Sequence, residues 1–135
     1  MKFLTKNSII ADHWSKDFHG GWYAESLHLN IGESWPRNYI AYVIEGAKHA
    51  ANNLSLKILV NDTERSNDAE VQLRVLAINL LDKADVRVFE ENDIDLVLAN
   101  SGQIEKLGYR ISSSYNEWKI GDTTQYEREF TLVKL

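Results

Sequence analysis

Period-two alternation recurs along this chain, and it constrains the fold more than any other feature. In residues 54–60, Leu54, Leu56, Ile58 and Val60 alternate with Ser55, Lys57 and Leu59. Successive side chains of a strand point to opposite faces, so this pattern predicts a strand with one buried face. Residues 23–31 alternate in the same way. Tyr23, Leu27, Leu29 and Ile31 share one face with Glu25, and Trp22, Ala24, Ser26, His28 and Asn30 share the other. Residues 1–10, 109–114 and 125–135 read as further strands, the last placing Tyr126, Phe130 and Leu132 on one side. Gly121 and Asp122 supply a turn before it, and Gly20 and Gly21 close a loop that begins at Asp12.

One stretch carries the helical period instead. Ile40, Val43, Ile44, Ala47 and Ala51 fall at i, i+3, i+4, i+7 and i+11, with Pro36 suited to a first turn and Asn52 and Asn53 to a stop. Tyr39 and Tyr42 flank this stripe, and with Trp35 they are candidate interface anchors or the rim of the core. Residues 69–84 fit two patterns. As a helix, Leu73, Leu76, Ala77, Leu80 and Ala84 form a stripe, and Asn67 with Glu70 could cap it. As a strand, Val71, Leu73, Val75 and Ala77 alternate, and residues 82–85 turn into a second strand at 86–90. Residues 94–99 are a short apolar run, and residues 103–107 read as one or two helical turns closed by Gly108. The expected class is α+β: a mostly antiparallel sheet of five to seven strands, one main helix over residues 36–53, and one or two shorter helical segments.

The length of 135 residues suits a single domain over 1–135, and 44% hydrophobic residues can supply its core. No cysteine is present, which excludes disulfides, a thiol nucleophile and cysteine-ligated metal. The apolar run in residues 1–10 is too short for a signal peptide, and no run has the length of a membrane span. A cytoplasmic location is therefore expected, with no membrane partner.

Charge is unevenly spread. The total is −5, yet residues 62–95 hold ten acids against four bases. A nucleic-acid binder concentrates basic charge, so direct nucleic-acid binding is disfavoured and a basic protein partner fits better. The candidate partner-binding residues are Asp82, Asp85, Glu90, Glu91, Asp93 and Asp95, opposed locally by Lys83 and Arg87. The same residues could be a solvated edge that discourages aggregation, or carboxylates that hold a metal or move protons. Replacing Glu90, Glu91, Asp93 and Asp95 with alanine is expected to leave folding nearly intact.

His13, Asp17 and His19 lie within seven residues, with His28 on the next strand, and are candidate metal ligands. They sit on an expected loop, where solvated polar side chains above packed Trp14 and Trp22 are the commoner arrangement. The serine run Ser112, Ser113 and Ser114 lacks a nucleophile-elbow context, and no phosphate-binding glycine motif occurs. No cofactor and no catalytic residue are expected on these grounds.

Two resemblances add to this reading. The segments IEKLGYRISSSYNEW and YEREFTLVKL resemble the tail of GNAT-superfamily N-acetyltransferases, where a short helix ends in L-G-[FY]. The family's pyrophosphate-binding loop is absent. A wider set of features resembles small bacterial immunity proteins of contact-dependent growth-inhibition systems. These are E-x-L-H-L at Glu25 to Leu29, a Trp/Tyr-bearing helix after a short gap, the strand at 54–60, a polar turn with Glu and Arg, an apolar hairpin turning into Val86 and Val88, and SYNEW at Ser114 to Trp118. This resemblance implies a central antiparallel sheet, favours strand for residues 69–84, and implies neutralisation of a toxin, often a nuclease, by direct binding. Three functions follow as expectations: an immunity or inhibitor protein; a GNAT-like or metal-dependent enzyme; and a phage counter-defence or structural protein.

Overall fold

The computed structural model describes residues 15–16, 22–25, 29–31, 38–47 and 50–135, with side chains described at 38–41 and 53–135. The chain forms strands β1 (Ser15–Lys16), β2 (Trp22–Glu25), β3 (Leu29–Ile31), β4 (Asn38–Ala47) and β5 (Ala50–Val60). A 3-10 turn at Thr63–Arg65 leads into helix α1 (Ser66–Lys83), followed by α2 (Glu91–Asn100). Strands β6 (Gln103–Lys106), β7 (Tyr109–Ile120) and β8 (Thr123–Lys134) complete it. The described strands make one antiparallel sheet in the order β1-β2-β4-β5-β8-β7-β6, with β3 also beside β4. The architecture is α+β, as the alternation implied.

The helix expected over residues 36–53 is not formed; its described residues, 38–47 and 50–53, belong to β4 and β5. Ile40 and Ala41 are adjacent in sequence and point to opposite faces, yet both are buried. A strand covered on both faces loses its alternation and reads as a continuous apolar run, in which a helical period can occur by chance. Its Ile, Val and Tyr content suits a pleated surface. Gly46 sits where the register shifts against β5, the usual place for a glycine inside a strand. Tyr39 and Tyr42 therefore lie on a strand, not a helix.

Of residues 69–84, all but the capping Ala84 are helical. Ala69, Leu73, Leu76, Ala77, Leu80 and Leu81 are buried while Val71 and Val75 are exposed, so the 3.6-residue stripe is the one that packs. The helix ends in a Schellman arrangement: Val86 N–H donates to the Leu81 carbonyl (2.9 Å) and Asp85 N–H to that of Asp82 (3.1 Å). Asp85 holds φ +57°, the left-handed conformation such a stop requires. Buried Val86 makes the accompanying apolar contact. The expected strand at 86–90 is instead an irregular connection.

The helical turns expected at 103–107 are strand β6, and the turn that follows is a tight hairpin. Leu107 and Gly108 both have positive φ, +46° and +87°, as a two-residue type I′ turn demands. The short helix on which the acetyltransferase likeness rested is thus a β-hairpin. Gly121 opens the β7–β8 turn with φ +62°, where the sequence placed it. The expected strand at residues 1–10 lies outside the described residues.

Both helices cover one face of the sheet. Helix α1 packs on β5, β4 and β8, and α2 on β7 and β6. Leu56, Ile58, Val60, Ile111, Phe130 and Leu132 meet Leu73, Leu76, Ala77, Leu80, Ile94 and Val97 in one core. No described helix is long and apolar enough to cross a membrane.

Candidate functional site

The six carboxylates singled out from sequence lie at the end of α1, in the connection after it, and in the first turns of α2. They divide into small ion-pair groups. Arg87 Nε donates to Asp85 Oδ1 (2.9 Å), and its Nη1 lies 3.4 Å from Asp82 Oδ1. Arg74, one face of α1 away, donates Nε to Asp95 Oδ1 (2.6 Å) and Nη2 to Asp95 Oδ2 (3.3 Å), with Glu91 Oε2 at 3.6 Å. Each guanidinium thus faces two carboxylates and leaves one negative charge over. Both arginines are held more firmly protonated than usual, Arg74 chiefly by its hydrogen bond to Asp95 and Arg87 by that to Asp85. Glu90 is exposed and adds a further charge, with Lys83 close by in the chain.

Asp93 differs from the other five. Its carboxylate accepts from Lys106 Nζ (2.8 Å) on β6 and from the Glu90 backbone N–H (2.9 Å) at the start of α2. It therefore caps the helix, where negative charge also complements the helix dipole. The Lys106 hydrogen bond, aided by the Glu90 N–H, pulls its pKa below the ordinary carboxylate value. Within the set Glu90, Glu91, Asp93 and Asp95, Asp93 is therefore the member whose replacement by alanine is expected to cost most of any stability lost. Asp93→Ala is expected to cost about 1 kcal/mol near neutral pH. A depressed folded-state pKa contributes stability above the unfolded value and loses it as pH falls through the folded one. The gap between Asp93→Ala and wild type should therefore narrow as the pH falls below about 4, the ordinary carboxylate range, in urea titrations.

Beside these pairs a groove of about 310 Å³ runs between α1, α2 and β8, lined by Glu70, Val71, Arg74, Asp95, Leu98, Ala99 and Arg128. Its floor is braced. Arg128 Nε donates to Glu70 Oε1 (3.0 Å) and its Nη1 to the Leu98 carbonyl (2.9 Å). Tyr126 Oη also donates to Glu70 Oε1 (2.8 Å). The Arg128 guanidinium sits 4.9 Å from the centre of the Tyr115 ring, which packs on Tyr126 at 5.0 Å. Burial, then the Glu70 hydrogen bond, pushes the Tyr126 hydroxyl pKa well upward, so it acts as a donor and not as a base. One arginine thus ties both helices to the sheet. Arg128→Met is expected to lower stability by about 1.5–3 kcal/mol, the range for hydrogen bonds to charged groups, as read from urea unfolding.

Apart from Arg87 beside Asp82 and Asp85, these partners were not visible in the sequence. Arg74 lies 21 positions from Asp95, and Arg128 lies 58 from Glu70. A further local signal was the spacing of Glu90 and Asp93, a helix-start pattern. Among the described residues no cluster of three or more metal-ligating side chains occurs. His13, Asp17, His19 and His28 lie outside the described residues. Comparison with protein-family models, with curated proteins and with solved structures finds no match for this chain.

Proposed function

We propose that this chain is a cytoplasmic inhibitor of the immunity-protein kind, which neutralises a basic toxin domain by binding it directly. The observation that carries this reading is the acidic surface formed by Asp82, Asp85, Glu90, Glu91 and Asp95. Its two arginines are each outnumbered by carboxylates, so the surface remains negative after local pairing. It stands on the end of one helix and the start of another, so its geometry is held by the core. A nuclease toxin needs basic surface to hold its substrate, and carboxylates fixed on a rigid frame can cover that surface and speed encounter.

The test mixes the chain with a panel of basic bacterial nuclease toxin domains and measures residual nuclease activity against added protein. Stoichiometric inhibition of one member, weakening steeply with salt, is the expected result. Changing Asp82, Asp85, Glu90 and Glu91 together to their amides should slow association at least about tenfold and flatten its salt dependence. The urea midpoint should stay near wild type, since these groups are exposed. Unchanged association in that variant removes the acidic surface from the mechanism. No inhibition across the panel removes the nuclease-inhibitor reading.

A further inference from the structure

We propose that the outer edge of β7, beyond the end of β6, is a self-pairing surface on which a second copy of this chain docks antiparallel through residues 116–120. Strand β6 pairs only with residues 109–112 of β7. From Ser114 to Ile120 the outer edge has no strand beside it among the described residues, and all but Trp118 of these residues are exposed. Ile120 is 63% exposed and Tyr115 41%. Such an edge is a template for another strand.

The direction of its hydrogen-bonding groups follows from the neighbouring pairs. Ser113 N–H points outward, to the Gly102 carbonyl at 3.0 Å. Backbone groups alternate along an antiparallel strand, so Tyr115, Glu117 and Lys119 present their N–H and C=O to the open edge, while Asn116, Trp118 and Ile120 bond β8.

An exposed edge is commonly guarded by lysine. Here the guard is matched by an opposite charge two residues earlier, in the order Glu117, Trp118, Lys119. That order is self-complementary for antiparallel copies related by a two-fold axis through Trp118. Glu117 then lies opposite Lys119 of the second copy and Lys119 opposite its Glu117, both in hydrogen-bonded positions. Cross-strand opposite charges of this kind are stabilising. Trp118 meets Trp118 of the second copy in the closer, non-hydrogen-bonded position, where aromatic pairs contribute most. The indole is already oriented, since its Nε1 donates to Gln125 Oε1 at 2.9 Å. An axis through Glu117 offers a longer overlap but sets Glu117 against itself. The charge order therefore selects both the occupant and the register.

The chain has no cysteine, so Trp118→Cys places a single thiol on the proposed axis. Opposed residues at non-hydrogen-bonded positions have the separation a disulfide needs. Oxidation of Trp118→Cys should give covalent dimer at least about tenfold faster than oxidation of Ser114→Cys. With Trp118 retained, Glu117→Lys should weaken self-association in sedimentation equilibrium roughly tenfold, and adding Lys119→Glu should restore it. The proposal is overturned by a chain that stays monomeric up to about millimolar concentration. Equal cross-linking of the two cysteine variants, or no rescue by the double reversal, overturns it as well. So does an edge that gains amide-exchange protection only when a different protein is added.

Discussion

Replacing Phe130 with alanine is expected to lower the unfolding free energy by about 3–5 kcal/mol, enough to unfold much of a marginally stable population. Phe130 is the largest fully buried side chain among the described residues. It stands on β8, paired with Leu56 of β5 and Ser113 of β7, under the face that both helices cover. Its ring has strands on either side and helices above, so little can move in to fill the space. The transfer cost of the lost ring is then joined by the cost of a cavity. Phe130→Leu, which keeps most of the volume, should cost about 1–1.5 kcal/mol. Urea unfolding followed by tryptophan fluorescence measures both. If the alanine variant lost less than the leucine variant, the packing described for β8 would be wrong.

The second large effect is expected at Asn38, which is 1% exposed at the start of β4. Its Oδ1 accepts from the backbone N–H groups of Asn61 and Asp62, each at 2.8 Å. Its Nδ2 donates to the carbonyls of Asp62 (3.2 Å) and Arg65 (3.5 Å). One amide side chain thus holds the bend through which the sheet passes into α1. Asn38→Ala leaves those backbone groups without this partner in a buried place, at about 1–3 kcal/mol for each group that water cannot reach. A total loss of about 2–4 kcal/mol is expected. Amide exchange should quicken at residues 61–66 before the rest of the molecule loosens. A uniform increase across the chain would mean that Asn38 does not act on that bend.

Legibility in the sequence followed how locally each feature is decided. Strands 54–60, 109–114 and 125–135 were readable because each buries one face, and a period of two survives one-sided burial. The turn at Gly121 was readable because its positive φ selects glycine. The acidic excess of residues 62–95 was readable as composition. What that stretch does with its charge was not readable. Lys106 of β6 pairs with Asp93 across 13 positions of chain, and Arg74 holds Asp95 across 21.

Sequence alone determined that this chain builds an α+β structure on an antiparallel sheet, because alternation is written residue by residue. Only the tertiary structure decided that 38–47 is a strand and 66–83 a helix. In the first, the adjacent residues Ile40 and Ala41 are both buried, which breaks the alternation there and leaves a pattern that a helical period fits equally well. In the second, Leu73, Leu76, Ala77 and Leu80 satisfy a helical stripe, while Leu73 and Ala77 also satisfy an alternating face. Contact with β4, β5 and β8 is what makes one choice bury more apolar surface than the other.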